Sequence, residues 1–177
     1  MKKGMVGSWQ IDNLPIPLQF MAFADAYLDS GDRLCKVLSR STRKRSYPRG
    51  AVVLFLTYHA IELFLKAAIL YRYPKEGLHH NVEQLHNRYR ALYPAKRYEF
   101  IVPFKTEYLG FEPSQLAEKK RSMPTQDKVN RYPSNKKGEV WDGVFVFEPN
   151  SFQPIIAQLQ ADFARLKNEI FKQGAAQ

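Results

Sequence analysis

A run of mostly apolar residues from Ala51 to Leu70 constrains the fold of this chain more than any other feature. Three polar side chains interrupt the run, His59, Glu62 and Lys66, and their spacing places them on one side of an α-helix. Because the other positions are apolar nearly all round, we expect this helix to be buried on most of its circumference. A buried helix must supply partners for such side chains, since an unpaired buried charge is costly. The run therefore predicts an all-helical domain with a polar seam through its centre.

The same run reaches the nominal length of a membrane-spanning helix. Its three polar residues favour a core helix of a soluble protein instead. Met1 is followed by a basic start but by no long apolar segment of the signal-peptide kind. A single cysteine, Cys35, excludes an internal disulfide and thiolate zinc clusters. We therefore expect a soluble, cytoplasmic protein.

Apolar residues at helical spacing predict further helices on both sides of the central one. The first should begin near Pro17, since proline suits a first helical turn. Another should follow Asn81, which with Gln84 resembles a capping box, and should end before Pro94. A final helix is expected over about 150–172, and the first three helices should be antiparallel in succession.

The segment between the third and last helices has a weaker pattern. It predicts an extended piece over 98–104, a short helix over 113–121 and a long exposed loop over 119–137. An Asp-Gly pair between β-forming residues predicts a hairpin over 140–147.

Together these patterns predict an all-α fold, an up-down bundle of four to five helices with a short β-hairpin insertion before the last helix. At 177 residues the chain has the length of one domain. We expect an N-terminal arm over 1–16 and a single helical domain over 17–173.

The net charge of +10 favours an acidic partner, nucleic acid above all. One basic run could follow a phosphate backbone; its members are Arg40, Arg43, Lys44, Arg45 and Arg49. Basic residues at 119–121 and 136–137 could extend the same surface. The alternative is that each run is a solvated loop.

Three segments, in this order and spacing, resemble the HEPN superfamily: Tyr58–Ala68, His80–Leu85 and the tripeptide Arg131-Tyr132-Pro133. The resemblance covers roughly residues 17–93 and, more loosely, the Arg-Tyr-Pro segment and the last helix. It implies a bundle of four or five helices that often dimerises. HEPN members include RNases, often toxins paired with nucleotidyltransferase antitoxins, and non-catalytic proteins that bind nucleotides, RNA or proteins.

The RNase members of that superfamily carry an Arg followed four to six residues later by a His, usually at the start of a late helix. Here no His follows His86, so the late segment lacks the motif. Arg72 and His79 have the matching spacing, but at the end of the central helix. The resemblance therefore implies a non-catalytic or weakly catalytic binding module for RNA or a nucleotide, working as a homodimer or beside a nucleotidyltransferase-type partner.

Two alternatives remain open at the level of sequence. One is a metal-independent RNase of toxin type, with Arg72 stabilising charge and His79 or His80 as general acid or base. The competing interpretation is that His80 caps or packs against the third helix while His79 is exposed. The other alternative is a protein-interaction subunit whose basic surface meets an acidic partner protein.

The polar seam has two interpretations of its own. Glu62 and Lys66 stand in the favourable order for a helical ion pair, and a structural network could also include His59 and Arg131. Alternatively the seam binds phosphate, with Lys66 and Arg131 as the contacts. His59 and Glu62 could form part of a metal site only with further Glu and Glu-x-x-His sets on other helices, and the sequence has no matching set. We therefore expect no metal, and no cofactor is expected either.

Overall fold

The computed structural model describes residues 13–104, 126–134, 137–138 and 147–171. Within these ranges the chain forms five α-helices and no strand: α1 Ile16–Arg40, α2 Tyr47–Arg72, α3 Val82–Leu92, α4 Gln126–Arg131 and α5 Pro149–Ile170. Two short 3-10 turns, Thr42–Lys44 and Lys96–Tyr98, complete the described elements. The predicted all-helical class is therefore confirmed for the part of the chain that the structure describes.

The predicted helix starts agree with the observed ones where a capping residue marks them. Asn81 Oδ1 accepts a hydrogen bond of 3.0 Å from the backbone N–H of Gln84, so the predicted cap of α3 is confirmed. The Glu148 carboxylate does the same for α5 by accepting from the N–H of Ser151 at 2.7 Å. These caps satisfy N–H groups that the first turn of each helix leaves without an intrahelical partner.

The central helix, α2, contacts each of the other four helices. Every residue from Ala60 to Leu70 is buried, which confirms the prediction that this helix is buried on most of its circumference. On one side the Phe64 ring stacks on Phe163 of α5, with ring centroids 4.2 Å apart. By length and composition α2 is also apolar enough to cross a membrane, but most of its apolar stretch is buried inside the protein.

The first two helices form an antiparallel pair in which Gly31 permits close approach. A Cβ at Gly31 would lie only 3.3 Å from Thr57 Oγ1, and Tyr27, one turn earlier, contacts His59 with ring centroids 4.6 Å apart. Residue numbers therefore increase along α1 in the direction in which they decrease along α2. The predicted antiparallel order is confirmed for this pair.

The third helix runs in the same sense as α2. His80, just before α3, lies beside Glu62, whereas Tyr93, just after it, donates to the carbonyl of Ala68 at 2.9 Å. Contacts thus advance along both segments in the same direction, and the expected antiparallel placement of α3 was wrong. The reason is the link over 73–81, which is long enough to carry the chain back along α2 before α3 begins.

The segment predicted as a loop over 119–137 contains α4 in its described part. This six-residue helix packs on α2 and buries Val129 and Asn130, so the loop prediction was wrong over Gln126–Arg131. One apolar residue among polar neighbours is too weak a pattern to predict such a helix. The predicted arm up to residue 12, the helix over 113–121, the hairpin up to residue 146, and the basic residues at 119–121 and 136 lie outside the described residues.

Candidate functional site

The polar side chains of α2 meet at the carboxylate of Glu62, which is buried in the bundle. Its Oε1 atom is 2.6 Å from Lys66 Nζ and 2.8 Å from His80 Nδ1, and its Oε2 atom is 3.4 Å from His59 Nδ1. The Glu62 and Lys66 side chains are only 2% and 7% exposed, whereas those of His59 and His80 are 22% and 80% exposed. The ion pair is therefore buried, and the two imidazoles that contact Glu62 are the more exposed members of the group.

Local sequence positions three of these four side chains. His59, Glu62 and Lys66 project from one side of α2 because they are spaced by one helical turn. His80 arrives from elsewhere, at the end of the 73–81 link, and the Asn81 cap of α3 anchors the chain directly after it. We call His59, Glu62, Lys66 and His80 the Glu62 cluster; three of its members share one face of α2, and His80 comes from the 73–81 link.

The environment keeps the Glu62 carboxylate ionised. Burial alone would raise the pKa of Glu62, but hydrogen bonds with His59 and Lys66, the charge of Lys66 and a further hydrogen bond with His80 lower that pKa to about 2. An ionised carboxylate accepts hydrogen bonds and donates none. Glu62 is therefore the shared acceptor of the cluster.

The ionisation of Glu62 fixes where the histidine protons lie. Since Glu62 only accepts, the Nδ1 atoms of His80 and His59 donate, and each neutral ring keeps its lone pair on Nε2. On His80 the ring is largely exposed.

A second cluster, built from rings and a guanidinium, adjoins the first at His59. The Phe55 ring is nearly parallel to the His59 ring, at 9° and with centroids 5.7 Å apart. The exposed guanidinium of Arg131, at the end of α4, lies over Phe55 with its carbon 5.0 Å from the ring centroid. Tyr27 of α1 contacts His59 edge-on. We call Phe55, His59 and Arg131 the stacking cluster.

Asn130, the residue before Arg131, is 8% exposed. Its Nδ2 atom has no hydrogen-bond partner among the described residues. A buried amide donor without an acceptor costs free energy, so most such groups in folded proteins are satisfied by protein, water or ligand. Within the described part of the chain, Asn130 is thus a buried donor without an acceptor.

The residues predicted for catalysis have different partners in the structure. His80 joins the Glu62 cluster, whereas the His79 ring accepts a hydrogen bond of 3.3 Å from the backbone N–H of Asn81 and is exposed. Arg72 lies exposed at the end of α2, six residues beyond Lys66, and within the described residues it makes no hydrogen bond or ion pair with either histidine. A catalytic role for Arg72 with His79 stays a prediction, without a direct contact between the two among the described residues to support it.

The basic run forms the corner between α1 and α2. Arg45 is committed to the fold, since its Nε donates to the carbonyl of Leu38 at 3.0 Å and its two Nη atoms reach Ser39 and Glu148. The remaining cations are exposed and have no acidic partner among the described residues; they are Arg40, Arg43, Lys44 and Arg49. We call these four residues the basic corner.

Sequence reasoning predicted part of this arrangement and missed part of it. It named His59, Glu62, Lys66 and Arg131 together, and the structure joins the first three directly and the fourth through Phe55. Phe55 was missed although it lies four residues before His59 on the same side of α2, a signal that the sequence contains. Among the described residues no group of three or more His, Cys, Asp or Glu side chains is arranged to hold a metal ion.

No protein-family model matches the chain, and neither does any curated protein or solved structure.

Proposed function

We propose that this chain is a HEPN-like helical domain that binds single-stranded RNA without cleaving it. In this proposal it works in the cytoplasm, as a homodimer or beside a nucleotidyltransferase-type partner. The observation that carries the proposal is the basic corner, four exposed cations within ten residues that have no acidic partner among the described residues.

The basic corner favours a polymer over a free nucleotide. Arg40 and Arg49 border the corner at the end of α1 and the start of α2, and Arg43 and Lys44 lie on the 3-10 turn between them. Cations spread in this way can meet successive phosphates of a strand, and each contact releases bound counterions. A mononucleotide presents its charge at one point and would leave most of these cations unused.

In this proposal the Glu62 cluster has a structural role, and Lys66 does not contact the RNA phosphates. The Nζ of Lys66 is buried and already neutralised by Glu62 at 2.6 Å, so a phosphate would have to displace a carboxylate to reach it. Lys66 and Glu62 instead position the two histidines. Of the two cations that the sequence suggested as phosphate contacts, Lys66 and Arg131, it is the exposed Arg131 that is available to RNA.

The salt dependence of RNA binding tests this proposal. Fluorescence anisotropy with a labelled 12-nucleotide RNA should give an affinity that falls as salt rises, with a logarithmic slope of about −3 if roughly four phosphates are contacted. The variant Arg43→Ala/Lys44→Ala should bind more weakly and show a slope smaller by about 1.4.

The matched control is Arg90→Ala/Lys96→Ala, which also removes two positive charges but at the α3 end of the molecule. It should leave the slope almost unchanged. Equal loss in both variants would mean that net charge alone attracts RNA, and absence of binding at low salt would refute the proposed function.

A metal-independent RNase is the second candidate, and the His80–Glu62 contact favours it. His80 presents an exposed ring whose Nδ1 is held 2.8 Å from an ionised carboxylate, the arrangement that orients a general acid or base. Arg131, the exposed cation of the adjoining stacking cluster, would then stabilise the charge that develops on phosphate. This version relocates the site from Arg72 and His79 to His80.

Cleavage of total RNA in excess EDTA distinguishes the two candidates. An RNase centred on His80 predicts cleavage by the wild type and by His79→Ala, and loss of cleavage in His80→Ala. His79 is the matched control because it is the neighbouring exposed histidine outside the Glu62 cluster. Intact RNA in all three reactions, with each protein folded by circular dichroism, supports binding without cleavage.

A further inference from the structure

We infer that the stacking cluster is the place where one unpaired base of the RNA is held, with Arg131 as the platform beneath it. This inference rests on the proposed function, because it assigns a base-binding role within the same RNA site. It adds a recognition step that the basic corner cannot provide, since phosphates carry no information about the bases.

Arg131 is preorganised for stacking. Its guanidinium lies 5.0 Å over the Phe55 ring, and Phe55 is itself nearly parallel to His59. The side chain is exposed, and among the described residues no carboxylate pairs with it. A planar cation already ordered on an aromatic ring loses little further freedom when a base stacks on it.

The position of the cluster suits a strand that also touches the basic corner. Phe55 follows Arg49 by six residues on the same helix, which corresponds to about 9 Å of helix axis. Proteins that bind single strands combine a positively charged track with aromatic or guanidinium planes on which bases stack. The basic corner and the stacking cluster supply these two parts, and α2 connects them through Arg49 and Phe55.

A comparison of two RNA strands tests the inference. The probes are a labelled 12-nucleotide oligoadenylate and an abasic ribose-phosphate strand of the same length, which has the same charge and no bases. The wild type should bind the oligoadenylate about tenfold more tightly, since stacking of one base contributes that order of affinity.

Two conservative variants separate stacking from charge. Arg131→Lys keeps the positive charge but removes the plane, and Phe55→Leu keeps an apolar side chain but removes the ring. Both should bind the two strands equally, at the affinity of the abasic strand. The variant Arg43→Ala/Lys44→Ala should weaken both strands by the same factor and keep the tenfold preference.

The outcomes distinguish this inference from the function beneath it. Equal binding of both strands by the wild type, or an undiminished preference in Arg131→Lys, overturns the base-binding role and leaves RNA binding intact. If neither strand binds at low salt, the proposed function fails and the inference fails with it.

Discussion

Lys66 Nζ lies 2.6 Å from Glu62 Oε1, and both side chains are almost fully withdrawn from solvent. Their spacing of four residues means that α2 itself holds them together, without help from the tertiary fold. Burying two charges costs free energy, which the pair recovers only while both partners are present. The histidines above the pair complete the hydrogen bonding of the carboxylate. The stability of α2 and the orientation of the site therefore depend on the same four groups.

Removing one partner of this pair should be strongly destabilising. Lys66→Met leaves the Glu62 carboxylate buried without its cation, and we expect the free energy of unfolding in urea to fall by about 3 kcal/mol. The double variant Glu62→Leu/Lys66→Met replaces the pair with apolar groups and should recover much of that loss. Lys36→Met removes the cation of a more exposed ion pair and should cost about 1 kcal/mol or less. A loss in Lys66→Met no larger than in Lys36→Met would show that the buried pair does not support the fold.

The low pKa of Glu62 predicts a specific loss of stability in acid. A carboxylate with a pKa of about 2 in the folded state, against an ordinary value of 4.5, stabilises the fold above pH 4.5. That contribution, about 3 kcal/mol, is lost as the pH falls from about 5 to about 2. Urea unfolding at intervals across this range should give a steeper decline for the wild type than for Glu62→Gln, which has no carboxylate to titrate there. Parallel profiles would mean that another group governs the acid response.

The parts of the site that could be predicted from sequence are those that one helix fixes. His59, Glu62 and Lys66 share a face of α2 whatever the rest of the chain does, so their spacing was sufficient. The contact of His80 with Glu62 depends on the path of the 73–81 link, and that of Arg131 with Phe55 depends on where α4 docks. Periodicity reports which face of a helix is buried but carries no information on such paths.

The fold shows the same division between local and tertiary information. The cap at Asn81 was predictable because its partner, Gln84, is three residues away. The direction of α3 was not, since an amphipathic helix buries the same face whether it runs up or down. Arg45 resembles its basic neighbours in sequence, and only its contacts with Leu38 and Glu148 distinguish it from them.

Gly50 should be required by close packing rather than by backbone conformation. A Cβ there would lie 2.6 Å from Cδ1 and 2.9 Å from Cγ of the Phe147 ring, which precedes α5. Alanine favours a helix over glycine by about 1 kcal/mol, but we expect the clash to outweigh this gain and Gly50→Ala to lower stability by about 1–2 kcal/mol net. Gly77→Ala, which meets no atom within 4 Å, is the control and should be neutral or slightly stabilising. The double variant Gly50→Ala/Phe147→Leu should regain stability relative to Gly50→Ala, and if it does not, the clash is not the cause.

Arg45 should behave as a structural residue and not as an RNA contact. It donates to the carbonyls of Leu38 and Ser39 in the last turn of α1, where carbonyls have no intrahelical partner. Arg45→Met should therefore lower the free energy of unfolding by about 1–2 kcal/mol. Arg43→Met removes an equal charge from the same corner without breaking such bonds, so its stability should change by no more than about 0.5 kcal/mol. For RNA affinity measured on the folded proteins the order should reverse, with Arg43→Met the weaker binder. The opposite pattern would mean that Arg45 contacts the RNA and that groups other than Arg45 stabilise the end of α1.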